Sequence, residues 1–188
     1  MTPIERRLKQ AYERINREGD KWAVNMYAAL ALALSRHHRM KEVAITRLID
    51  VTWSAWKECA VNSDASMIKM CAEEVGIEIQ NGSGVSYTDV AYLNGQDLGD
   101  MTYEQILYMR AQQLKWVRPQ IIACILVGLH RKYGWGYTRL DRIYRQIDEI
   151  DMEYKSNPKS LARAALEETG VDVKEMIFKK REVEDGPN

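Results

Sequence analysis

Short stretches of this 188-residue sequence occur twice, in the same order and about 91 to 94 residues apart. The longest is His-Arg, six variable residues and Thr-Arg-Leu, which fills 38–48 and again 130–140. The stretch EEVGIEI at 73–79 likewise has a counterpart in EETGVDV at 167–173. Chance supplies one or two such identities, but hardly a collinear series. The repetition therefore predicts two tandem units related by pseudo-symmetry.

Both units have helical periodicity, which predicts an all-α fold. Apolar residues between Trp22 and Leu34 recur at spacings of three and four, as on a largely buried helix. Gly76 and Gly170 suit the ends of the last helix in each unit. Turn and capping residues predict a break near residue 19 in the first unit and, in the second, a helix that begins at Thr102 and a break at 118.

The alternating residues 77–79 and 171–173 predict a short β segment at the end of each unit. Between the units, 80–101 is rich in glycine and turn residues and has the composition of a linker with a small hairpin. The predicted organisation is helical repeat 1 over 1–79, the linker over 80–101, helical repeat 2 over 102–180 and a frayed polar tail over 181–188.

The composition limits the partners. With 27 basic and 27 acidic residues the formal net charge is zero, so only a local patch would attract nucleic acid or an anionic membrane. The longest apolar run, 27–34, is too short to cross a bilayer, and the N-terminus lacks the apolar segment of a signal peptide. We therefore expect a cytoplasmic protein with no membrane partner, and reduced core cysteines at Cys59, Cys71 and Cys124.

No catalytic signature is present. The sequence lacks the phosphate-binding, dinucleotide-binding, zinc-protease and nucleophile-elbow motifs. His37 and His38 are adjacent, so on a helix their side chains diverge and make a poor metal pair. The expectation is a non-enzymatic protein without catalytic residues, metal or cofactor.

Basic residues cluster around both copies of the repeated phrase. In one interpretation they only complement helix C-termini and pair with nearby acids. In the other they form a partner surface, because arginine beside aromatic residues is typical of interface hot spots. Acids on the same helix, at 141, 148, 149 and 151, disfavour a nucleic-acid surface. The candidate partner-binding residues are Arg39, Arg47, Arg131, Lys132, Trp135, Tyr137, Arg139 and Arg142.

The second unit also carries a resemblance. An apolar helix leads into the turn Tyr133-Gly134-Trp135-Gly136 and then Arg139-Leu140, and a later helix ends in Glu168-Thr169-Gly170-Val171. This stretch, 122–173, resembles small accessory proteins of phages and prophages of Gram-positive bacteria. The first unit lacks the glycine-aromatic-glycine turn, so only the second carries the likeness. The resemblance implies a phage accessory protein, a class that includes anti-CRISPR proteins that bind a type II effector nuclease, and transcriptional regulators.

The leading functional hypothesis is therefore an anti-CRISPR-like protein that binds and inhibits a bacterial CRISPR effector nuclease in the host-cell cytoplasm, with DNA contacts through its basic turns. One alternative is a regulator that binds duplex DNA, with 38–60 or 130–154 as a helix-turn-helix. The other is a structural phage assembly factor that forms a homodimer or larger homo-oligomer.

Overall fold

The computed structural model describes residues 3–61, 67–79 and 102–185, and the predicted linker 80–101 with its small hairpin lies outside them. The described residues form an all-α fold, as predicted, and contain no strand. The helices are α1 (Pro3–His38), α2 (Glu42–Val61), α3 (Met67–Met70), which continues as a π-helical turn over Cys71–Val75, α4 (Tyr103–Tyr133), α5 (Tyr137–Glu153), α6 (Pro158–Thr169) and α7 (Val173–Asp185).

The C-terminal halves of α1 and α4 form the centre of the core. Residues 26–34 and 121–129 are buried at every position, as expected of helices that are apolar on all faces. The two long helices pack on each other. In addition, α2 and α3 pack on α4, whereas α5 and α6 pack on α1. Each long helix is therefore enclosed largely by helices from the other half of the chain.

Both long helices are continuous where the sequence predicts a break. Gly19 lies inside α1 and Pro119 lies inside α4. A glycine in a helix costs about 1 kcal/mol relative to alanine, and a proline removes one backbone hydrogen bond. Pro119 and its neighbour Trp116 are buried, so the helix continues through a packed region. Packing between elements outweighs these local breakers, and the prediction of separate helices was wrong at both points.

The two predicted β segments are buried connections instead. Ile77 and Ile79 are both buried, and neither belongs to a strand. Val173 begins α7, and the backbone N–H of Glu175 donates to Oδ1 of Asp172 at 2.8 Å, which makes Asp172 the cap of this helix. The alternating pattern thus comes from a buried apolar residue on either side of a polar one. Helix α7 continues to Asp185, into the segment for which the sequence predicts a frayed tail.

Three-residue connections join α1 to α2 and α4 to α5. Each begins with a residue in the left-handed region, Arg39 with a φ of 53° and Gly134 with a φ of 62°. The N–H of Arg39 donates to the carbonyl of Ser35 and that of Met40 donates to Leu34, both at 3.1 Å, and the first of these bonds closes α1 with a left-handed (αL) cap. Both connections therefore begin with a left-handed residue that ends a largely buried helix.

The repeated phrase occupies different positions at these two connections. Thr46–Leu48 lies in the second turn of α2, whereas Thr138–Leu140 lies in the first turn of α5. His38 is the last residue of α1, whereas His130 precedes the end of α4 by about one turn. The two copies are thus out of register by about one helical turn, and only the second begins a helix.

The side chains of two of the three cysteines, Cys71 and Cys124, are described, and both are buried and free, as predicted. Burial, together with the nearby charge of Glu74, raises the pKa of the Cys71 thiol to about 12. The pKa of Cys124 is raised as well, chiefly by burial. Both thiols therefore stay protonated and unreactive at neutral pH. The side chain of Cys59 lies outside the described part.

Candidate partner-binding site

A cluster of arginine and aromatic side chains lies where α4 meets α5. Tyr133 and Tyr137 are exposed by 41% and 54%, a large fraction for aromatic side chains. They flank the three-residue turn of Gly134, Trp135 and Gly136 between the helices. We name this surface the α4–α5 corner and define it by Arg131, Lys132, Tyr133, Trp135, Tyr137, Arg139 and Arg142.

Trp135 is the centre of this corner. The guanidinium carbon of Arg139 lies 3.5 Å from the centroid of its ring, and the Tyr133 ring lies 5.7 Å away between centroids. The Nδ1–H of His130 donates to the Trp135 carbonyl at 2.9 Å, which fixes the backbone of the turn. Because stacking uses the flat face of the guanidinium, the N–H donors along its edge remain for a carboxylate or phosphate.

Arg131 has a different role from its neighbours. Its Nε and Nη2 donate to the two carboxylate oxygens of Glu74 at 2.9 and 2.7 Å. This bidentate pair connects the end of α4 to the π-helical turn, and its hydrogen bonds lower the pKa of Glu74. Arg131 is thus engaged within the chain rather than presented to a partner.

The remaining cations of the corner have no ion-pair partner in the part of the chain that the structure describes. Across residues 3–61, 67–79 and 102–185, Lys132, Arg139 and Arg142 form no ion pair, although all three are exposed. The acid nearest in sequence, Asp141, accepts a hydrogen bond from Arg145 at 3.0 Å. The corner therefore carries a local positive charge on a chain whose formal net charge is zero.

The other two predicted contact residues, Arg39 and Arg47, lie at the connection between α1 and α2. We define the α1–α2 corner by Arg39, Lys41, Val43 and Arg47, all of which are exposed. Helix α5 is about 25 Å long and runs from the α4–α5 corner to Glu153, which binds Arg36 near the end of α1. The structure thus divides the predicted contact residues between two connections, and His38, which precedes Arg39, lies 3.1 Å from the side chain of Gln146 in the middle of α5.

A cleft of about 500 Å³ opens elsewhere, lined by residues of α1, α4, α5 and α6. Arg118 lies in it and donates to Asp148 at 2.5 Å and to Asp151 at 3.0 Å. Together with Lys155, which also lines the cleft, these side chains balance in charge. Sequence reasoning missed this cluster, because Arg118 and Asp148 lie 30 residues apart on different helices. Because the charges of the cleft balance within the chain, the cleft does not indicate a class of ligand.

Neither a membrane-spanning helix nor a metal site is found among the described residues. None of the helices there combines the length and the apolar character that a membrane span requires. No group of three or more histidine, cysteine, aspartate or glutamate side chains in that part of the chain is arranged to hold a metal ion. The two corners therefore remain the candidate functional surfaces.

No family model, curated protein or solved structure matches the chain. The phage resemblance therefore rests on the quoted residues of the second unit alone. Any function has to be argued from the chemistry of the surface.

The glutamate–arginine pairs lead to a prediction for acid stability. Hydrogen bonds from Arg131 and Arg36 lower the pKa values of Glu74 and Glu168 from the ordinary value of 4.5. A carboxylate with a lowered folded-state pKa stabilises the fold above its unfolded-state pKa, and this stability is lost as the pH falls through the lower folded-state value. We therefore expect stability to fall in acid, starting below about pH 4.5. Each exposed pair contributes about 0.2–1 kcal/mol.

Urea unfolding followed by circular dichroism between pH 3 and 7 measures this effect. The variant Glu74→Gln/Glu168→Gln is expected to be less stable at pH 7 and to lose less stability in acid. Glu167→Gln is the matched control, because Glu167 pairs with the highly exposed Arg163 on the same helix. An acid dependence identical in the double variant and the wild type would contradict the assignment.

Proposed function

We propose that this chain is a non-enzymatic binding protein whose α4–α5 corner docks on an acidic surface of a partner protein. The observation that carries the proposal is Arg139 held 3.5 Å above Trp135, beside Lys132 and Arg142, which are exposed and form no ion pair with any described residue. Arginine and tryptophan are enriched among hot-spot residues. A guanidinium already stacked on a ring loses less conformational freedom on binding, so more of its interaction energy appears as affinity.

The resemblance to phage accessory proteins suggests the identity of the partner. On that basis we propose a type II CRISPR effector nuclease, inhibited in the cytoplasm of the host bacterium in the manner of an anti-CRISPR protein. The support for a nuclease is the Tyr133–Gly136 turn and the Glu168–Val171 helix end, whereas the support for a binding role is the corner itself. The two parts of the proposal are therefore tested separately.

A duplex-binding regulator is the second candidate. Three-residue connections of the kind found here also join the helices of helix-turn-helix motifs. On α5, however, Arg142 and Arg145 alternate with Asp141 and Glu149, and on α2 Arg47 is followed by Asp50. The closely spaced phosphates of a duplex would meet these acids as well as the arginines, whereas acidic residues of a protein can be placed opposite the arginines alone, so this mixed pattern favours a protein partner over a DNA backbone.

We also propose that the two halves descend from one duplicated unit arranged about a pseudo-two-fold axis. Two reciprocal glycine contacts support this. A Cβ on Gly76 would lie 3.6 Å from Tyr137, the first residue of α5, and one on Gly170 would lie 2.9 Å from Glu42, the first residue of α2. Both glycines end a helix in the left-handed region, with φ values of 78° and 77°.

Two reciprocal ion pairs support the same proposal. Arg36 lies two residues before the end of α1 and donates to both carboxylate oxygens of Glu168, at 2.8 and 2.6 Å. Arg131 lies two residues before the end of α4 and holds Glu74 in the same bidentate manner. In each case a long helix of one half binds the glutamate that precedes the terminal glycine of the other half.

The experiment is a DNA-cleavage assay with a purified, guide-loaded type II effector nuclease. We expect the wild-type chain to form a complex with the nuclease and reduce cleavage, and the variant Trp135→Ala/Arg139→Ala to do neither. Lys159→Ala, an exposed cation at the start of α6, is the control that should behave like the wild type. Equal inhibition by the wild type and the double variant would remove the corner from the function.

Parallel measurements address the alternatives. A duplex gel shift at two salt concentrations tests the regulator, since DNA affinity that falls steeply with salt is its signature. Sedimentation of the chain alone tests the assembly factor, for which a stable homo-oligomer without affinity for the nuclease is expected. Either result, combined with no binding to the nuclease, would replace the proposed function.

A further inference from the structure

We infer that His130 is a positioning residue for partner binding, because it holds the turn that stacks Arg139 on Trp135. The inference rests on the proposed function of the α4–α5 corner. His130 is part-buried in the last turn of α4, and its Nδ1–H donates to the Trp135 carbonyl at 2.9 Å. Its effect on a partner is therefore transmitted through the turn.

The residues of the turn do little to fix its shape. Two of the three are glycines, the residue type with the most backbone freedom to lose. A Cβ on Gly134 or Gly136 would meet no atom of the described chain within 4 Å, apart from those of its chain neighbours. Gly136, at which α5 starts, also has no side chain that caps the helix. The turn therefore depends on hydrogen bonds to its backbone.

His130 supplies two of these bonds. Its carbonyl accepts from the N–H of Gly134 at 2.8 Å, and its ring donates to the Trp135 carbonyl. That carbonyl belongs to the peptide that leads into α5, so the ring bond orients the chain between Trp135 and Arg139, the two members of the stack.

Packing and the ring bond act on different parts of the turn. The Trp135 side chain packs partly on the core, which limits where its ring can lie. The bond from His130 fixes the following peptide and thus the position of the ring relative to α5. A side chain that is already ordered in the free chain loses less freedom on binding, so we expect the bond to increase affinity.

The histidine of the first copy provides the matched control. His38 is also part-buried near the end of a long helix, but its Nε2 lies 3.1 Å from Oε1 of Gln146 on α5. Its hydrogen bond therefore joins two helices and does not hold the connection that follows it. The two histidines are similar in burial and in position along their helices, and they differ in what their rings hold.

The identity of the bonded nitrogen distinguishes the test variants. A carbonyl oxygen only accepts, so Nδ1 of His130 carries the proton. The amide nitrogen of an asparagine is separated from Cβ by the same number of bonds as Nδ1, whereas that of a glutamine matches Nε2. We therefore expect His130→Asn to keep the bond to Trp135, and His130→Gln and His130→Ala to lose it.

Two measurements on the full chain test the inference. NMR of the free chain records the upfield shift that the Trp135 ring imposes on the Arg139 side-chain protons. Calorimetry records binding of a peptide of eight glutamates, which Trp135→Ala/Arg139→Ala should abolish. We expect His130→Ala and His130→Gln to lose the upfield shift and to weaken peptide binding roughly 3- to 10-fold. His130→Asn and His38→Ala should retain both.

The failures are distinguishable. Peptide binding to the wild type that His130→Ala leaves unchanged would overturn the inference and leave the proposed function standing. Equal weakening by His130→Asn and His130→Gln, or by His38→Ala, would show a general loss of stability and would also overturn the inference. A wild type that does not bind the peptide would overturn the acidic partner of the proposed function, and the inference with it.

Discussion

Replacing Leu126 with alanine is expected to lower the free energy of unfolding by about 2–5 kcal/mol. Leu126 is fully buried and lies in the segment of α4 that is buried at every position. Truncation removes apolar contacts and leaves a cavity, and the cost is highest where the surroundings cannot collapse. Helices from both halves of the chain enclose α4, so little collapse is expected here.

The matched control is Tyr108→Ala on the same helix. Tyr108 is exposed by 64%, so we expect a change within about 0.5 kcal/mol although a larger side chain is removed. Urea unfolding followed by circular dichroism measures both variants. A loss at position 108 as large as that at 126 would contradict the central position of the C-terminal half of α4. The expected loss at 126 is a large fraction of the roughly 5–15 kcal/mol that stabilises an ordinary domain.

Local signals in the sequence were sufficient for much of the fold. The apolar spacing between Trp22 and Leu34 predicts a largely buried helix, and the structure confirms it. Thr102 begins α4 with a capping box, in which it accepts from the N–H of Gln105 while the Gln105 side chain accepts from the N–H of Thr102. Gly170 ends α6 in the left-handed region, as predicted. These features depend on a few adjacent residues, which is why sequence reasoning finds them.

Features that depend on distant contacts were not predictable in this way. Nothing near Gly19 or Pro119 indicates that α1 and α4 continue through them, because the compensation comes from other helices. Alternating apolar and polar residues, as at 171–173, occur both in strands and in a buried connection that caps a helix. Only the spacing of Asp172 and Glu175, which is typical of a helix cap, indicated the second case. The pattern alone does not separate these cases.

The same distinction between local and distant contacts applies to the candidate site. Arg139 and Trp135 are four residues apart, so their proximity in the sequence was enough to group two side chains that are in contact in the structure. Arg131 and Glu74 are 57 residues apart, and no local pattern shows that this arginine is already engaged. Which cations remain for a partner is decided by tertiary ion pairs. The residue types of the surface could therefore be predicted from the sequence, whereas the structure was needed to show which of its cations already form ion pairs within the chain.

At the α4–α5 corner, Arg139→Ala is expected to weaken binding of the proposed partner nuclease by roughly 30-fold or more, the effect of removing a hot-spot residue. The loss combines three contributions of the Arg139 guanidinium. It supplies a positive charge opposite an acidic surface, several N–H donors along its edge, and a position fixed by the Trp135 ring 3.5 Å away. Alanine removes all three at once.

Arg139→Lys separates these contributions. Lysine keeps the charge but loses the planar stacking and the bidentate donors, so we expect an intermediate loss. Arg142→Ala, one turn along the same helix, removes a charge that has no stacking partner within the described residues, and it should mainly slow association and reduce the salt dependence. A double-mutant cycle between Arg139 and Trp135, measured by surface plasmon resonance, should give a coupling of about 0.5–1 kcal/mol. Additive effects of the two substitutions, or equal affinities of Arg139→Ala and Arg139→Lys, would contradict a binding role for the stacked pair.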